Sequence, residues 1–211
     1  KRQKNFAVCI FDIAPYKTCC VLSSSFFLYH KWRSFCSVLL LFLRKFLRRE
    51  FDTLLDRKLP NLLLLVAGWF LNTLLSYAAL FLVELVSAGL GPPNEEALEA
   101  ISSVDYRPMI GLVIFLAPVI EETLFRGVVF GSLRARSRVL AYAVSAALFS
   151  LMHVWQYALA YRSPVLLLYA LQYLPSALVL AYVYERTDSV WGSIFLHMLC
   201  NGVSVLAVAG S

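Results

Sequence analysis

From residue 61 onward the chain alternates long apolar runs with short polar breaks. Runs near 61–86, 109–132, 139–160 and 164–184 each hold about the 20 mostly apolar residues needed to cross a hydrocarbon core, and a fifth, 189–209, is almost free of charge. The pattern predicts an all-α fold, a polytopic bundle of about five transmembrane helices. Residues 38–59 follow another rule. Leu43, Phe46, Leu47, Phe51, Leu54, Leu55 and Leu59 recur at three-four spacing, with Arg44, Lys45, Arg48, Arg49, Asp52 and Asp56 between them. That spacing predicts an amphipathic helix lying in the membrane interface. Residues 1–37 show no usable period. None of the runs has the short apolar core and small-residue cleavage site of a signal peptide.

Composition agrees with a membrane protein. Of 211 residues, 60% are hydrophobic and 15% charged, against roughly 45–50% and about 25% in a soluble domain. A mean hydropathy of +0.72 leaves too little polar surface to cover a water-soluble globule. Charge is uneven along the chain. Residues 1–59 hold twelve Lys and Arg against four acids (+8), and residues 60–211 hold seven against nine (−2). The basic N-terminal region therefore reads as a surface facing anionic lipid rather than nucleic acid. Arg134, Arg136 and Arg138 fall between the second and third runs, whereas the 87–108 loop carries Glu95, Glu96, Glu99 and Asp105. By the positive-inside rule the N-terminus is expected in the cytoplasm and the C-terminus outside. Four of five cysteines lie in the first 36 residues without a CxxC pair, which indicates neither a disulfide framework nor a thiolate zinc site. Because the chain begins at Lys1 rather than Met, it is expected to be a fragment or the product of an incomplete gene model.

Ionisable groups inside the runs change the picture most. An acid at mid-bilayer costs about 2.5–3.5 kcal/mol even on insertion-derived scales, so such residues are functional candidates. Glu121, Glu122, Arg126, His153, His197 and Asn201 all fall inside predicted spans. At a rise of about 1.5 Å per residue, Glu121, His153, His197 and Asn201 lie roughly 12–21 Å from the cytoplasmic ends of their spans, a shared layer. Glu122 and Arg126 are four apart and predicted to pair on one helix face, with Glu121 turned about 100° away. Gly127 and Gly131 form a GxxxG that admits a close neighbour. Pro118 and Pro175 are expected to open their helices locally. Taken singly, each residue has a plain reading: an ion pair made cheaper in lipid, histidines as interhelical hydrogen bonders, Asn201 as packing glue. Phe149 and Cys200 read as packing residues, Glu84 as interfacial, and Asn72 and Gln172 as interhelical bonds. Convergence of the set on one layer favours chemistry.

Glu121-Glu122-Thr123-Leu124-Phe125-Arg126 fits EExxxR, Phe149 to His153 fits FxxxH, and His197 to Asn201 fits HxxxN. In this order, each on an apolar run, the motifs resemble the signature of the CPBP family. That family comprises the type II CAAX prenyl endopeptidases and the bacteriocin-processing and self-immunity (Abi) proteins. The resemblance covers about residues 60–210, which would make 60–211 a CPBP-like intramembrane protease domain behind a basic region at 1–59. It implies an intramembrane endopeptidase in which Glu121 and His153 activate a water, and His197 and Asn201 stabilise the oxyanion. Glu122 would belong to the same catalytic set, held by Arg126 as a structural partner. If a divalent metal such as zinc is used, Glu121, His153 and His197 are the ligands implied.

The expected partners are a peptide or protein substrate near the membrane and the lipid bilayer, with no nucleic acid, in a bacterial cell membrane. Two other readings compete. A non-catalytic scaffold or immunity factor would keep the polar layer for assembly. A proton-coupled transporter would use it as a relay, but no inverted repeat is evident.

Overall fold

The computed structural model describes residues 43–88, 110–160, 162 and 164–209. Residues 1–42 and 89–109 lie outside the described residues, and with them the aperiodic 1–37 segment and nearly all of the acidic loop. Helix α1 covers 43–55, and a turn at residues 56–57 leads into α2, Lys58–Ala88. Helix α3 runs over 110–134, α4 over Arg138–Ala160, α5 over Ala170–Thr187 and α6 over Val190–Ala209. A 3-10 segment, Pro164–Tyr169, precedes α5. No strand occurs among the described residues.

The apolar surface faces outward, as lipid requires. On α2, Leu62, Leu63, Val66, Phe70, Leu74, Phe81 and Leu85 are exposed, whereas Asn61, Asn72, Ser76, Leu80 and Val83 are buried at helical spacing. A contiguous apolar face of that size is not compatible with water. This is an integral membrane protein. Lys58–Val86, Arg138–Gln156 and Leu166–Thr187 are long and apolar enough to cross a membrane, and Val190–Leu206 is a shorter apolar helix. Of the five spans expected, three thus meet the length and apolarity of a crossing among the described residues. Of the other two, α6 is apolar along its twenty residues Val190–Ala209, and α3 is polar and irregular at its centre.

Helix α5 is the hub, packed against α2, α4 and α6. Its Ala177 and Ala181 are fully buried, so neighbouring backbones approach closely. Gly68 does the same from α2: a Cβ there would lie 3.1 Å from Leu196 Cδ2 and 3.2 Å from Val183 Cγ2. The amphipathic helix is not merely laid on the surface. Its Leu47 is buried in one cluster with Phe130, Val190 and Ile194, and the boundary expected at 59/60 falls in the first turn of α2. Gly127 of the GxxxG pair receives Phe46 of α1, whose Cζ would stand 3.3 Å from an added Cβ, and Gly131 lies beside the Tyr184 hydroxyl at 3.4 Å.

Helix α3 carries the glutamate pair between two π-helical stretches, Leu112–Leu116 and Thr123–Phe130, with an α-helical piece, Ala117–Glu122, between them. The first stretch has a local cause. Pro118 has no N–H and crowds the carbonyl four residues back, so the ladder widens before it, and the Ala117 N–H bonds Leu112 O. The Val113 carbonyl is then left out. Its five-residue partner would be Pro118, and its four-residue partner, Ala117, is already engaged. Pro175, by contrast, sits inside an uninterrupted α5, so the opening expected there does not occur.

Candidate active site

The three motifs converge, each delivered by a different helix. Glu121 and Glu122 come from α3, His153 from α4, and His197 and Asn201 from α6. Glu122, Arg126, His153, His197 and Asn201 are buried, while the Glu121 side chain keeps 13% of its exposure. Glu121 is therefore the acid that opens to the surroundings.

Two polar assemblies share the layer. In the first, Arg126 Nη1 donates to Glu122 Oε1 at 2.8 Å and Nη2 donates to the Ala177 carbonyl at 2.9 Å. Its guanidinium lies 4.5 Å above the Phe149 ring. The same Glu122 Oε1 receives His197 Nδ1 at 2.9 Å. A charged pair with no water access survives because each partner is neutralised and hydrogen-bonded.

In the second, His153 Nδ1 stands 2.7 Å from the Phe149 carbonyl. A carbonyl accepts, so Nδ1 is the donor and Nε2 is the basic atom of the neutral ring. That Nε2 lies 3.8 Å from Glu121 Oε2. The ring stacks on Tyr173 and lies tilted against Phe149, with centroids 4.5 Å away in each case. The same argument fixes His197: with Nδ1 on a carboxylate, its neutral ring turns a basic Nε2 elsewhere.

Asn201 ties its helix to α3. Its Nδ2 donates to the Val113 carbonyl at 3.0 Å, the group that Pro118 strands. Its Oδ1 is buried and makes no hydrogen bond among the described residues. The oxygen accepts and does not donate, so oxyanion stabilisation would fall to the amide's second N–H. His153, His197 and Asn201 line one cavity with Phe149, Tyr173, Ser176 and Cys200. The cavity has room for roughly one water molecule.

Several residues gain importance over their sequence reading. Phe149 is a platform touching Arg126, His153 and His197, the last at 5.8 Å. Tyr173, which no motif marks, stacks on His153; an aromatic beside a buried Gln172 in an apolar run was the available signal. Cys200 lines the cavity and receives Asn72 Nδ2 at Sγ, 3.2 Å away, so it is more than filler, while Asn72 is the interhelical bond expected of it.

A metal fits this arrangement poorly. Among the described residues no three His, Cys, Asp or Glu side chains stand close enough to hold a metal ion. Glu121, His153 and His197 do not close around a common point as zinc ligands must.

Comparison with known proteins adds a family. Residues 103–203 match the model of the family described as type II CAAX prenyl endopeptidase Rce1-like. A curated protein of Bacillus subtilis (strain 168), "Putative membrane peptidase YdiL", is 25% identical over 148 residues, 69% of this chain and 56% of that protein. The chain thus spans little more than half the length of that relative. No solved structure matches. The matched segment, just under half of the chain, encloses Glu121, Glu122, Arg126, His153, His197 and Asn201, and in it the chain is similar to that family.

Proposed function

We propose that this protein is an intramembrane endopeptidase that hydrolyses a peptide bond with a water activated by Glu121 and His153. The observation that carries the reading is the Glu121–His153 pair at 3.8 Å. An acid that reaches the surroundings faces a histidine whose tautomer and ring plane are both fixed. The match to the type II CAAX prenyl endopeptidase Rce1-like family and the relative's description as a membrane peptidase support it.

Glu121 takes a proton from water as the oxygen attacks the scissile carbonyl carbon, with His153 Nε2 orienting the water as acceptor. The tetrahedral intermediate places negative charge on the former carbonyl oxygen. His197 lines the same cavity as His153 and meets that charge as a donor once its Nε2 is protonated. Collapse breaks the C–N bond, and Glu121 returns its proton to the departing amine. Glu122 keeps His197 in place, and Asn201 holds α6 to α3 through Val113. The substrate is a peptide or protein segment at the membrane, the N-terminus is cytoplasmic, and the membrane is that of a bacterial cell.

The test is cleavage of a peptide library, with prenylated and unprenylated members, by detergent-purified protein with and without a chelator. Cleavage that survives chelation is expected. Cleavage lost to chelator and restored by zinc would move the chemistry to a metal. Absence of cleavage with every peptide would overturn the endopeptidase reading in favour of a scaffold.

A further inference from the structure

Helix α1 lies outside the residues that match the family, yet three hydrogen bonds tie it to the first turn of α6. Glu50 Oε2 accepts from the Val190 N–H at 3.1 Å, and the Glu50 carbonyl accepts from Ser189 Oγ at 2.5 Å. Trp191 Nε1 donates to the Leu47 carbonyl at 2.7 Å, and Phe51 meets the Trp191 ring edge-on at 5.5 Å. The other Glu50 oxygen is 3.4 Å from Arg49.

Val190 opens α6, so its N–H has no partner within the helix, and a carboxylate there also meets the positive end of the helix dipole. His197 is seven residues on, two turns away on the same face and about 10 Å along the axis. The intervening Ser193, Ile194 and Leu196 are fully buried, so those turns have no slack. On its other side α1 places Phe46 against Gly127 of α3, beside Arg126. One short interfacial helix thus touches both helices whose polar groups meet at Glu122.

We propose that Glu50 is a positioning residue for His197: by capping α6 it sets the axial placement and rotation at which His197 reaches Glu122. The role in catalysis rests on the endopeptidase reading, but the positioning itself does not. A misplacement on the order of 1 Å can cost roughly 100-fold in rate, so the cap acts through kcat rather than through substrate binding.

The experiment compares full-length wild type, Glu50→Ala and Glu50→Gln in one detergent. Glutamine keeps an oxygen that can accept from Val190; alanine does not. Cleavage kinetics are read alongside hydrogen–deuterium exchange of peptides covering 190–201 and 170–187. Expected for Glu50→Ala is a kcat at least tenfold lower with KM within twofold, and faster exchange confined to 190–201. Glu50→Gln should recover most of both. Wild-type exchange in 190–201 for Glu50→Ala overturns the proposal, as does Glu50→Gln as impaired as Glu50→Ala. If wild type cleaves nothing, the exchange comparison still decides the positioning, and the endopeptidase reading alone falls.

Discussion

His197 Nδ1 meets Glu122 Oε1 at 2.9 Å, joining two motifs that lie 75 residues apart in the chain. The same oxygen receives Arg126 at 2.8 Å. Glu122 is therefore a shared acceptor, fixing both its own helix and the imidazole of α6. The division of labour between the adjacent glutamates follows from exposure. Glu122 is sealed and saturated on one oxygen, and Glu121 keeps access and a histidine.

Glu121→Gln should remove peptide cleavage while leaving the fold intact. The amide preserves volume but cannot take the water's proton, and general-base assistance is typically worth about 10²–10⁴-fold. Because Glu121 is partly exposed and outside the Arg126 pair, melting in detergent should move little. A Glu121→Gln variant within threefold of wild-type kcat would remove Glu121 from the chemistry.

Gly68→Val tests whether the α2–α5–α6 contact sets the site. The branched side chain would begin 3.1 Å from Leu196, the residue before His197, and 3.2 Å from Val183. Overpacking a filled interior costs about 1–3 kcal/mol. A lower melting temperature together with reduced cleavage is expected. Unchanged stability would show that α2 packs elsewhere in the folded protein.

The shared polar layer was legible in the sequence because lipid penalises a stray charge, so Glu121, His153 and His197 could hardly be accidental. Helix existence was legible for the same reason, since apolar runs in a bilayer must close their hydrogen bonds internally. The pairing of Glu122 with Arg126 followed from four-residue spacing. What sequence did not show was partner choice across helices. Glu122 serving His197 depends on how α3 packs against α6, and Asn201 serving Val113 depends on α3 departing from α-helical geometry before Pro118. A rule of about 100° per residue assumes that no such departure occurs. The docking of α1 was hidden as well. Its three-four pattern suits a lipid interface and a protein groove equally, and the contacts that separate the two, Phe46 on Gly127, Leu47 in the core and Glu50 with Val190, join residues far apart in the chain.

Topology gives an independent check. Arg134, Arg136 and Arg138 surround the turn between α3 and α4, and Arg134 and Arg138 pair with Asp188 and Glu185 at the α5–α6 turn, at 2.8 and 3.1 Å. Both turns thus lie at one end of the bundle. By the positive-inside rule a reporter fused at Ser137 should read cytoplasmic, and one at Asn94, in the acidic stretch, should read outside. The reverse pattern would place the Glu121 layer relative to the opposite membrane face and overturn the orientation.

The Glu122–Arg126 pair should separate stability from activity. Glu122→Gln leaves the Arg126 guanidinium without its counter-charge in a sealed layer, and breaking such a pair costs about 3–5 kcal/mol. Arg126→Met alone strands Glu122 in the same way and also leaves the Ala177 carbonyl without its donor. Combining Glu122→Gln with Arg126→Met removes the stranded charge, so melting temperature should recover part of the loss. Cleavage should not recover with it. The double variant still lacks the carboxylate that fixes His197, so kcat should stay at least tenfold below wild type in a protein that is folded again. Melting and single-turnover cleavage, measured on all three variants in one detergent, give the comparison. If the double variant regains activity in step with stability, Glu122 acts on the fold alone, and its contact with His197 plays no part in the reaction.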